Sequence, residues 1–486
     1  MSLFKRDHSE SAQRPGWREY QRQLQKPAQR RYAPKRLGRS VIVSLVTVTI
    51  VLLTMYMSFS RDSGPRSESA AFSAGPLAPD VAQGMPSNEP LAAKSTDATI
   101  GKEKELNIAI SKKDVQLLLN TLALNDLMAK NVALPIQDQQ FQIETSIDPD
   151  LQNKLVQALD RKHSRFVGVV VMEAATGRIL AVAGFDKTDP AANPCFQSSF
   201  PAASLFKIVT AAAAIEQCNY SGDTKVHFNG YKHTLYKNQL NDVNNAWTQT
   251  TSFEDSFAQS INPVFGKIGT LHLGKSVLEE YGNGFGFNEP LDFELPIMPS
   301  HLSIDDTPYR WAEIASGFNK ETTLSPVHAA VIVSAIVNQG RMVTPTLVER
   351  IVDADGKEIY RSKATWQRRA MTTKTSAILA DMMEATVQSG TGRAAFKNHM
   401  RDPVLSKLRI GGKTGSMNNR TNDVRFDWFA GYAQGKDGSG RVVVSAMVAH
   451  EDYIGVRAGA YARMAIVHYF KNHLAQHELN KDKKKS

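Results

Sequence analysis

The run from Val41 to Phe59 places the strongest constraint on the fold of this chain. It holds nineteen residues without a charge, and a helix of that length can cross a hydrocarbon core of about 30 Å. We therefore predict a transmembrane helix over residues 41–59. A buried core helix is disfavoured because low-complexity sequence flanks the run on both sides. A cleaved signal peptide is disfavoured because its charged leading region and its apolar stretch would both be unusually long.

Basic residues are concentrated before this run. Residues 1–40 contain eleven Lys or Arg and three Asp or Glu, so the other 446 residues carry only about +2 of the total charge of +10. The positive-inside rule then predicts a cytoplasmic basic tail, 1–40, with everything after Phe59 outside the cytoplasm. A nucleic-acid partner is not expected, because that would call for a basic face on a folded domain.

The remaining sequence divides into four segments. Residues 60–101 are rich in Ser, Ala, Pro and Gly, which is typical of a flexible linker. Residues 102–139 show a short helical pattern that ends at Pro135, and we predict an accessory helical segment there, of unassigned function. A main domain follows over 140–474, and a charged C-terminal tail over 475–486.

Strand patterns lie at both ends of the main domain and helical patterns lie between them. Asp148 and Pro149 predict a helix start. We expect an α/β (α+β) fold with a sheet built from both ends of the domain and a helical insertion from Ser204 to about Gln388. The expected strands cover residues 141–147, 166–172, 178–183, 408–410, 428–433 and 441–448, and a closing helix covers 457–474.

Ser204-Leu-Phe-Lys207 opens an Ala-rich apolar run. A serine hydroxyl needs a neighbour to accept its proton before it can act as a nucleophile. A lysine one turn later can do so if burial or other cations lower its pKa. The alternative is a simple helix cap followed by a solvated lysine. A second copy of the tetrapeptide, Ser2–Lys5, lies in the predicted cytoplasmic tail and is a coincidence.

Two further motifs follow in order, Ser260-Ile-Asn262 and Lys413-Thr-Gly415 with Ser416 behind it. Each is weak alone and could be only a turn or a strand end. Together, in this order and context, the three motifs resemble the transpeptidase domain of penicillin-binding proteins, within the superfamily that includes β-lactamases. The resemblance covers about residues 140–472 and also includes Thr145–Gln152, Leu324–Pro326, Asn338–Gly340, Ser389–Gly392 and Asp427–Tyr432. It implies a β-lactamase/transpeptidase-like fold with an antiparallel sheet.

The resemblance also implies a role for each motif residue. Ser204 would form an acyl-enzyme with a D-Ala-D-Ala stem peptide, with Lys207 as the base. Ser260 would relay a proton to the leaving amine, and Asn262 would position Lys207. Lys413 would keep Lys207 neutral and attract the substrate carboxylate.

The last motif and the oxyanion hole complete the expected site. Thr414 and Ser416 would bind the terminal carboxylate, and Gly415 would let the substrate backbone lie close to a strand edge. Backbone N–H groups of Ser204 and Ser416 would form the oxyanion hole.

Only two cysteines occur, Cys195 and Cys218, and they bracket the Ser204 helix. A disulfide between them is possible outside the cytoplasm, and two free buried thiols are the alternative. The histidines do not cluster at metal-ligand spacing, so we predict no metal and no cofactor.

Two sequence features resemble β-lactamase motifs and are set aside. Tyr281-Gly-Asn283 lies in a Gly-rich turn, and we interpret it as a loop. Glu294 lies where some β-lactamases carry a deacylating glutamate, but its neighbours resemble a Leu-Pro segment of penicillin-binding proteins. A rapid β-lactamase is therefore not expected.

The predicted protein is a single-pass protein of the bacterial inner membrane with a periplasmic or extracytoplasmic catalytic domain. The expected reaction is D,D-transpeptidation, which cross-links peptidoglycan stem peptides and is inhibited by covalent binding of β-lactams. A D,D-carboxypeptidase and a non-catalytic β-lactam-binding scaffold or sensor are the alternatives. Residues 60–139 are too few for a glycosyltransferase domain, so a separate peptidoglycan glycosyltransferase is a candidate partner.

Overall fold

The computed structural model of the protein describes residues 110–483, apart from residues 121, 125, 137, 138 and 439. Within that part of the chain, no helix combines the length and the apolar character that a membrane crossing requires. The predicted transmembrane run 41–59, the basic tail 1–40 and the linker 60–101 lie outside the described residues.

The described residues form fifteen strands and ten α-helices. The strands are β1 Asn131–Ile136, β2 Gln139–Thr145, β3 Ser164–Glu173, β4 Ile179–Asp186, β5 Phe200–Pro201, β6 Lys225–Phe228, β7 Gln249–Ser252, β8 Thr323–Leu324, β9 Arg341–Val343, β10 Val348–Val352, β11 Glu358–Arg361, β12 Trp366–Arg369, β13 Leu408–Asn418, β14 Arg425–Gly435 and β15 Arg441–His450. The helices are α1 Lys112–Leu119, α2 Pro149–Ala158, α3 Lys207–Cys218, α4 Phe253–Ala258, α5 Asn262–Lys267, α6 Gly274–Gly284, α7 Pro308–Ser316, α8 Pro326–Val337, α9 Thr373–Gln388 and α10 Ala458–Lys483.

A five-stranded antiparallel sheet forms the centre of the fold, in the order β13-β14-β15-β3-β4. β3 and β4 precede the helical region, whereas β13, β14 and β15 follow it. The prediction of an antiparallel sheet built from both ends of the domain is confirmed. Because β13 is the edge strand, the last motif lies on a free margin of this sheet rather than inside it.

Helices cover both faces of the sheet. Successive side chains of a strand point to opposite faces, and β3 shows this alternation clearly. Val169 and Val171 join a buried cluster with Leu151 of α2 and Ile466 of α10, whereas Val170 faces the other cluster, which contains α3 and α8. Helix α3 therefore packs against one face of the sheet, while α2 and α10 cover the other face.

Small side chains explain why α3 can occupy this position. Its Ala211–Ala214 run is fully buried, and alanine has the strongest helix preference and the least bulk. The helix ends at Asn219, whose φ of 55° is left-handed, a common way to terminate a helix. The predicted start of α2 is confirmed, because Asp148 caps it and Pro149 is its first residue.

A second sheet, in the order β1-β2-β10-β11, corrects one expectation. The accessory segment is helical over α1, as predicted, but Asn131–Ile136 is a strand paired with β2. Pro135 was interpreted as a helix end, yet proline is also tolerated in an edge strand, and β1 is one. Val115 and Leu119 of α1 belong to the same hydrophobic cluster as α3, so this segment packs into the fold.

The structure extends one predicted boundary and decides between the two alternatives for the cysteines. α10 continues to Lys483, beyond the predicted domain end at residue 474. Cys195 and Cys218 are free thiols, not a disulfide. The Cys195 sulfur is buried 3.6 Å from the carbonyl oxygens of Val169 and Ala183, whereas Cys218 is the last residue of α3. A twelve-residue helix is about 18 Å long, so it carries Cys218 away from the segment that precedes Ser204.

Candidate active site

Ser204 lies in a tight turn directly before α3. The turn is a 3₁₀ helix over Ala203–Phe206, and Ala203 has a φ of 49°. That left-handed conformation costs an ordinary residue about 1–2 kcal/mol, so the surroundings must hold it in place. Ala202 donates a backbone hydrogen bond to Thr322 at 2.9 Å. Gly317 packs so closely that a Cβ there would lie 2.0 Å from the Ala203 carbonyl oxygen.

Lys207 is fully buried behind Ser204. Its Nζ lies 2.9 Å from Ser204 Oγ, 2.7 Å from Asn262 Oδ1 and 2.5 Å from the Ser316 carbonyl oxygen. A neutral amine has two N–H donors and one lone pair. The two donors match the two carbonyl-type oxygens, which leaves the lone pair for the hydroxyl proton of Ser204. This set of contacts suits a base better than a solvated cation.

Lys413 stands in a parallel relationship to Ser260. It too is fully buried, and its Nζ donates to Ser260 Oγ at 3.0 Å and to the Thr414 carbonyl at 3.1 Å. Ser260 has a φ of 56°, another left-handed non-glycine residue. Strain of this kind persists only where the surroundings impose it, and it is frequent at functional sites.

The pKa values of the two buried lysines are both lowered. Burial and the charge of Lys413 hold the pKa of Lys207 well below the ordinary value for lysine. Burial lowers the pKa of Lys413 to about 7. Each Nζ also lies 5.4 Å from the centre of a phenylalanine ring, Phe265 for Lys207 and Phe257 for Lys413. The site can thus hold a neutral amine next to the nucleophile near neutral pH.

Asn262 is fixed from two sides. Its Oδ1 accepts from Lys207, and its Nδ2 donates to the His233 carbonyl at 3.1 Å. Its backbone N–H donates to the Lys232 carbonyl at 2.7 Å. The loop before β7 therefore orients the amide that in turn positions the lysine.

The third motif forms the other wall of the site. On β13, Gly415 pairs with Trp428 of β14, and a Cβ at Gly415 would lie 3.3 Å from the Ser204 nitrogen. Thr414 Oγ1 lies 2.5 Å from Thr391 Oγ1, and Ser416 Oγ lies 3.5 Å from Asp427 Oδ1. An edge strand offers backbone groups to an extended peptide, so a substrate can lie along β13 beside the nucleophile.

One cleft of about 810 Å³ joins the three motifs. The sequence-predicted residues that line it are Ser204, Ser260, Asn262, Thr414, Gly415 and Ser416. Lys207 and Lys413 lie behind the serines and are not exposed to it. Among the described residues, no three His, Cys, Asp or Glu side chains are grouped to hold a metal ion.

Sequence reasoning missed several residues of this cleft. His233, Arg425 and Arg457 line it, and partial burial and the charge of Lys207 lower the pKa of His233. None of them belongs to a periodic pattern or short motif, so no sequence signal could have placed them there. Trp428 is buried but also lines the cleft, and its Nε1 donates to the Pro201 carbonyl at 2.9 Å.

The two features set aside from the sequence have structural partners outside the cleft. The buried Glu294 carboxylate accepts hydrogen bonds from Thr346 Oγ1 at 2.5 Å and the Leu347 backbone at 3.1 Å. Lys112 of α1 lies 3.7 Å from it. Tyr281 donates its hydroxyl to Glu216 at 2.7 Å. Neither Glu294 nor Tyr281 lines the site.

Comparisons with known proteins agree with this geometry. The chain is 24% identical over 305 residues to stage V sporulation protein D of Bacillus subtilis, covering 57% of this chain and 44% of that protein. It is 23% identical over 364 residues to the peptidoglycan D,D-transpeptidase PbpA of Mycolicibacterium smegmatis, covering 66% of this chain and 70% of that protein. The chain therefore spans less than half of the first relative.

Solved structures show the same fold. The D,D-transpeptidase domain of a peptidoglycan glycosyltransferase from Eggerthella lenta matches with a TM-score of 0.57 and 23% identity, over 72% of this chain and 85% of that one. PBPA from Mycobacterium tuberculosis matches with a TM-score of 0.55 and 21% identity, over 67% and 81%. The family model of the penicillin-binding protein transpeptidase domain matches residues 167–468, and this chain belongs to that family.

Proposed function

We propose that this protein is a membrane-anchored serine D,D-transpeptidase that cross-links peptidoglycan stem peptides through an acyl-enzyme on Ser204. The observation that carries the proposal is the contact set of Lys207: among the described residues that its buried amine contacts at hydrogen-bond distance, Ser204 is the one with a hydroxyl proton to give. The name of the relative PbpA, a peptidoglycan D,D-transpeptidase, supports the same reaction class.

The first half-reaction acylates the enzyme. Ser204 Oγ attacks the carbonyl carbon of the penultimate D-Ala while its proton passes to Lys207 Nζ. Backbone N–H groups of Ser204 and Ser416 stabilise the oxyanion, a contribution of about 3–4 kcal/mol per donor in related acyl transfers. The bond to the terminal D-Ala then breaks, and Ser260 delivers a proton to the departing amine. Lys413, which donates to Ser260 Oγ at 3.0 Å, replaces the proton that Ser260 gives up.

The second half-reaction restores the enzyme. An amine of a neighbouring stem peptide attacks the Ser204 ester, and its proton passes through Ser260 to Lys413. The ester C–O bond breaks, Lys207 returns its proton to Ser204 Oγ, and a new peptide bond replaces the ester. Attack by water instead would release a shortened stem, which is the carboxypeptidase outcome.

Thr414 and Ser416 hold the terminal carboxylate of the incoming donor, next to the positive charge of Lys413.

β-Lactams would react at the same atom. Attack of Ser204 Oγ on the lactam carbonyl opens the ring C–N bond, but the amine stays tethered and blocks the acceptor. Glu294 lies away from the cleft, and no other carboxylate in the described residues contacts Ser204, so we expect slow hydrolysis of the penicilloyl ester.

Labelling with a fluorescent penicillin tests the active-site assignment. Wild type is expected to be labelled and Ser204→Ala is expected not to be. Equal labelling of the two proteins would refute Ser204 as the nucleophile. If wild type is not labelled at all, the assignment also fails and a non-catalytic scaffold is favoured. To identify the reaction, a pentapeptide stem is supplied with a D-amino acid acceptor. Exchanged product supports transpeptidation, whereas free D-Ala without exchange identifies a carboxypeptidase.

The membrane anchor is a separate part of the proposal. Residues 41–59 would span the inner membrane once, with residues 1–40 in the cytoplasm and the catalytic domain outside, where a separate glycosyltransferase could supply glycan strands. Alkaline carbonate washing of membranes should retain the full chain. Release of the full chain into the supernatant would refute the anchor without affecting the catalytic assignment.

A further inference from the structure

The loop between β6 and β7, residues 229–248, forms a bank of the catalytic cleft. The carbonyls of Lys232 and His233 accept both hydrogen bonds that Asn262 donates, at 2.7 and 3.1 Å, and His233 lines the cleft itself. The loop therefore contacts the site through His233, which lines the cleft, and through the two carbonyls that hold Asn262. We call residues 229–248 the bank loop.

A buried glutamine gives the bank loop a fixed shape. Gln239 is 4% exposed, and its Nε2 donates to the carbonyls of Asn229 and Tyr231 at 2.8 and 3.3 Å. Its Oε1 accepts from the Tyr236 backbone at 2.9 Å and from Thr234 Oγ1 at 3.0 Å. A loop held by four hydrogen bonds to one buried side chain is pre-organised, which lowers the entropic cost of binding.

The same loop also reaches the helices beneath it. Leu235 is 3% exposed, and its carbonyl accepts the Tyr309 hydroxyl of α7 at 2.8 Å. A Cβ added to Gly266 of α5 would lie 2.7 and 2.8 Å from the side chains of Leu235 and Leu240. Leu235 and Leu240 thus anchor the loop to these helices, whereas Val243 is 46% exposed.

Three large aromatic side chains of the bank loop point outward instead. Trp247 is 83% exposed, Tyr231 is 81% exposed and Tyr236 is 61% exposed. A single exposed aromatic needs no explanation. Three on one ordered loop of twenty residues beside a catalytic cleft call for one. Trp and Tyr provide large, rigid contact area at low entropic cost and are suited to binding.

The residues between these aromatics identify the class of ligand. The loop also carries asparagines at positions 229, 238, 241, 244 and 245, and its single carboxylate is Asp242. A protein-docking surface would show a contiguous apolar core with polar groups at its rim. Exposed aromatic side chains that alternate in sequence with amide donors and acceptors instead match pyranose rings, which present C–H faces flanked by hydroxyl and N-acetyl groups.

We propose that the bank loop binds the glycan strand that carries the donor stem peptide, by stacking N-acetyl sugars on Trp247 and Tyr231. The inference rests on the proposed function, because the stem peptide in the cleft is covalently attached to that strand. The sugar must then lie within the short reach of the stem, and the bank loop forms one side of the cleft.

Calorimetric titration with a peptide-free oligosaccharide of alternating N-acetylglucosamine and N-acetylmuramic acid tests the binding directly. Wild type is expected to bind, and Trp247→Ala and Tyr231→Ala are each expected to bind at least tenfold more weakly. Trp366→Ala is the matched control, because Trp366 is also exposed, at 43%, but lies on β12. No binding by wild type, or equal binding by all four proteins, overturns the inference.

A kinetic comparison separates this inference from the proposed function. With glycan-linked and free pentapeptide as donors, Trp247→Ala should raise the KM for the linked donor relative to the free donor by at least fivefold, and Trp366→Ala should not. An unchanged KM ratio in Trp247→Ala counts against the glycan site even if wild type is acylated by penicillin. Failure of wild type to be acylated counts against the catalytic assignment, while the titration still decides the glycan site.

Discussion

Lys413 lowers the pKa of Lys207, although each lysine contacts a different serine. Lys207 Nζ lies 2.9 Å from Ser204 Oγ, and Lys413 Nζ lies 3.0 Å from Ser260 Oγ. Burial has the larger effect on the pKa of Lys207, and the charge of Lys413 adds to it. The second lysine is therefore part of what makes the first one a base.

Removal of this charge should shift the pH dependence of acylation. In Lys413→Gln the pKa of Lys207 rises, so a higher pH is needed to reach the same fraction of neutral amine. The acidic limb of the penicillin acylation rate should move to higher pH, whatever happens to its maximum. Lys413→Arg keeps the charge and serves as the control. An acidic limb that stays in place in Lys413→Gln would show that burial alone sets the pKa of Lys207.

Lys413 should also make stability depend on pH. Its pKa is about 7 in the folded protein and about 10.4 when unfolded, so the unfolded state binds more protons between those values. Stability therefore rises with pH across that window and is lower below it. Lys413→Met should have a higher Tm than wild type at pH 7, with a difference that shrinks toward pH 10. A difference that grows with pH would contradict the assigned burial of the charge.

The three motifs could be found from sequence because each is a contiguous string in a recognisable context. Ser204 opens an Ala-rich helix, and Lys413 lies on a strand. The resemblance implied that Asn262 positions Lys207, and the structure gives the contact of 2.7 Å across 55 positions, which no local pattern in the sequence could supply. His233 could not be predicted either, because its position depends on the Gln239 network and not on any periodicity.

The points that the sequence misread or left open also have physical causes. Pro135 ends the helical pattern in the sequence, although an edge strand also tolerates a residue that cannot donate a backbone hydrogen bond. For Cys195 and Cys218 the sequence leaves a disulfide and two free thiols open, because the two residues flank Ser204. The structure shows free thiols, since the helix between the cysteines keeps them apart.

Glu294 should prove to be a structural residue. At present the two carboxylate oxygens of Glu294 accept hydrogen bonds from Thr346 and from the Leu347 N–H. Glu294→Gln keeps only one oxygen as an acceptor, and the new amide NH₂ would face the Leu347 N–H, so that two donors oppose each other. We expect a loss of about 1–3 kcal/mol in the free energy of unfolding, and an unchanged lifetime of the penicilloyl-enzyme. Glu289→Gln is the control, because Glu289 pairs with Arg368 at the surface and such pairs contribute about 0–1 kcal/mol. A longer penicilloyl lifetime in Glu294→Gln would instead give Glu294 a role in deacylation.

The cysteines should react as two separate thiols. Burial raises the pKa of both, and Cys195 is fully buried while Cys218 is partly exposed. Iodoacetamide should modify Cys218 slowly in the folded protein and Cys195 only after unfolding. Intact mass after alkylation in denaturant without reductant should show two added groups. A mass with no added groups would establish the bridge that the structure lacks.

Gly317 should be essential for the position of the nucleophile. Its φ is 65°, and a Cβ would lie 2.0 Å from the Ala203 carbonyl oxygen and 2.9 Å from the Ser204 nitrogen. Gly317→Ala must push the Ser204 turn away from the cleft, and misplacement by about 1 Å can cost about a hundredfold in rate.

Gly356→Ala separates steric overlap from backbone strain, because Gly356 has a φ of 80° but nothing within 4 Å of an added Cβ. We expect Gly356→Ala to lose about 1 kcal/mol of stability with normal penicillin acylation, and Gly317→Ala to lose acylation as well. Similar acylation rates in the two variants would mean that the turn can adjust, and that the close packing of Gly317 does not position Ser204.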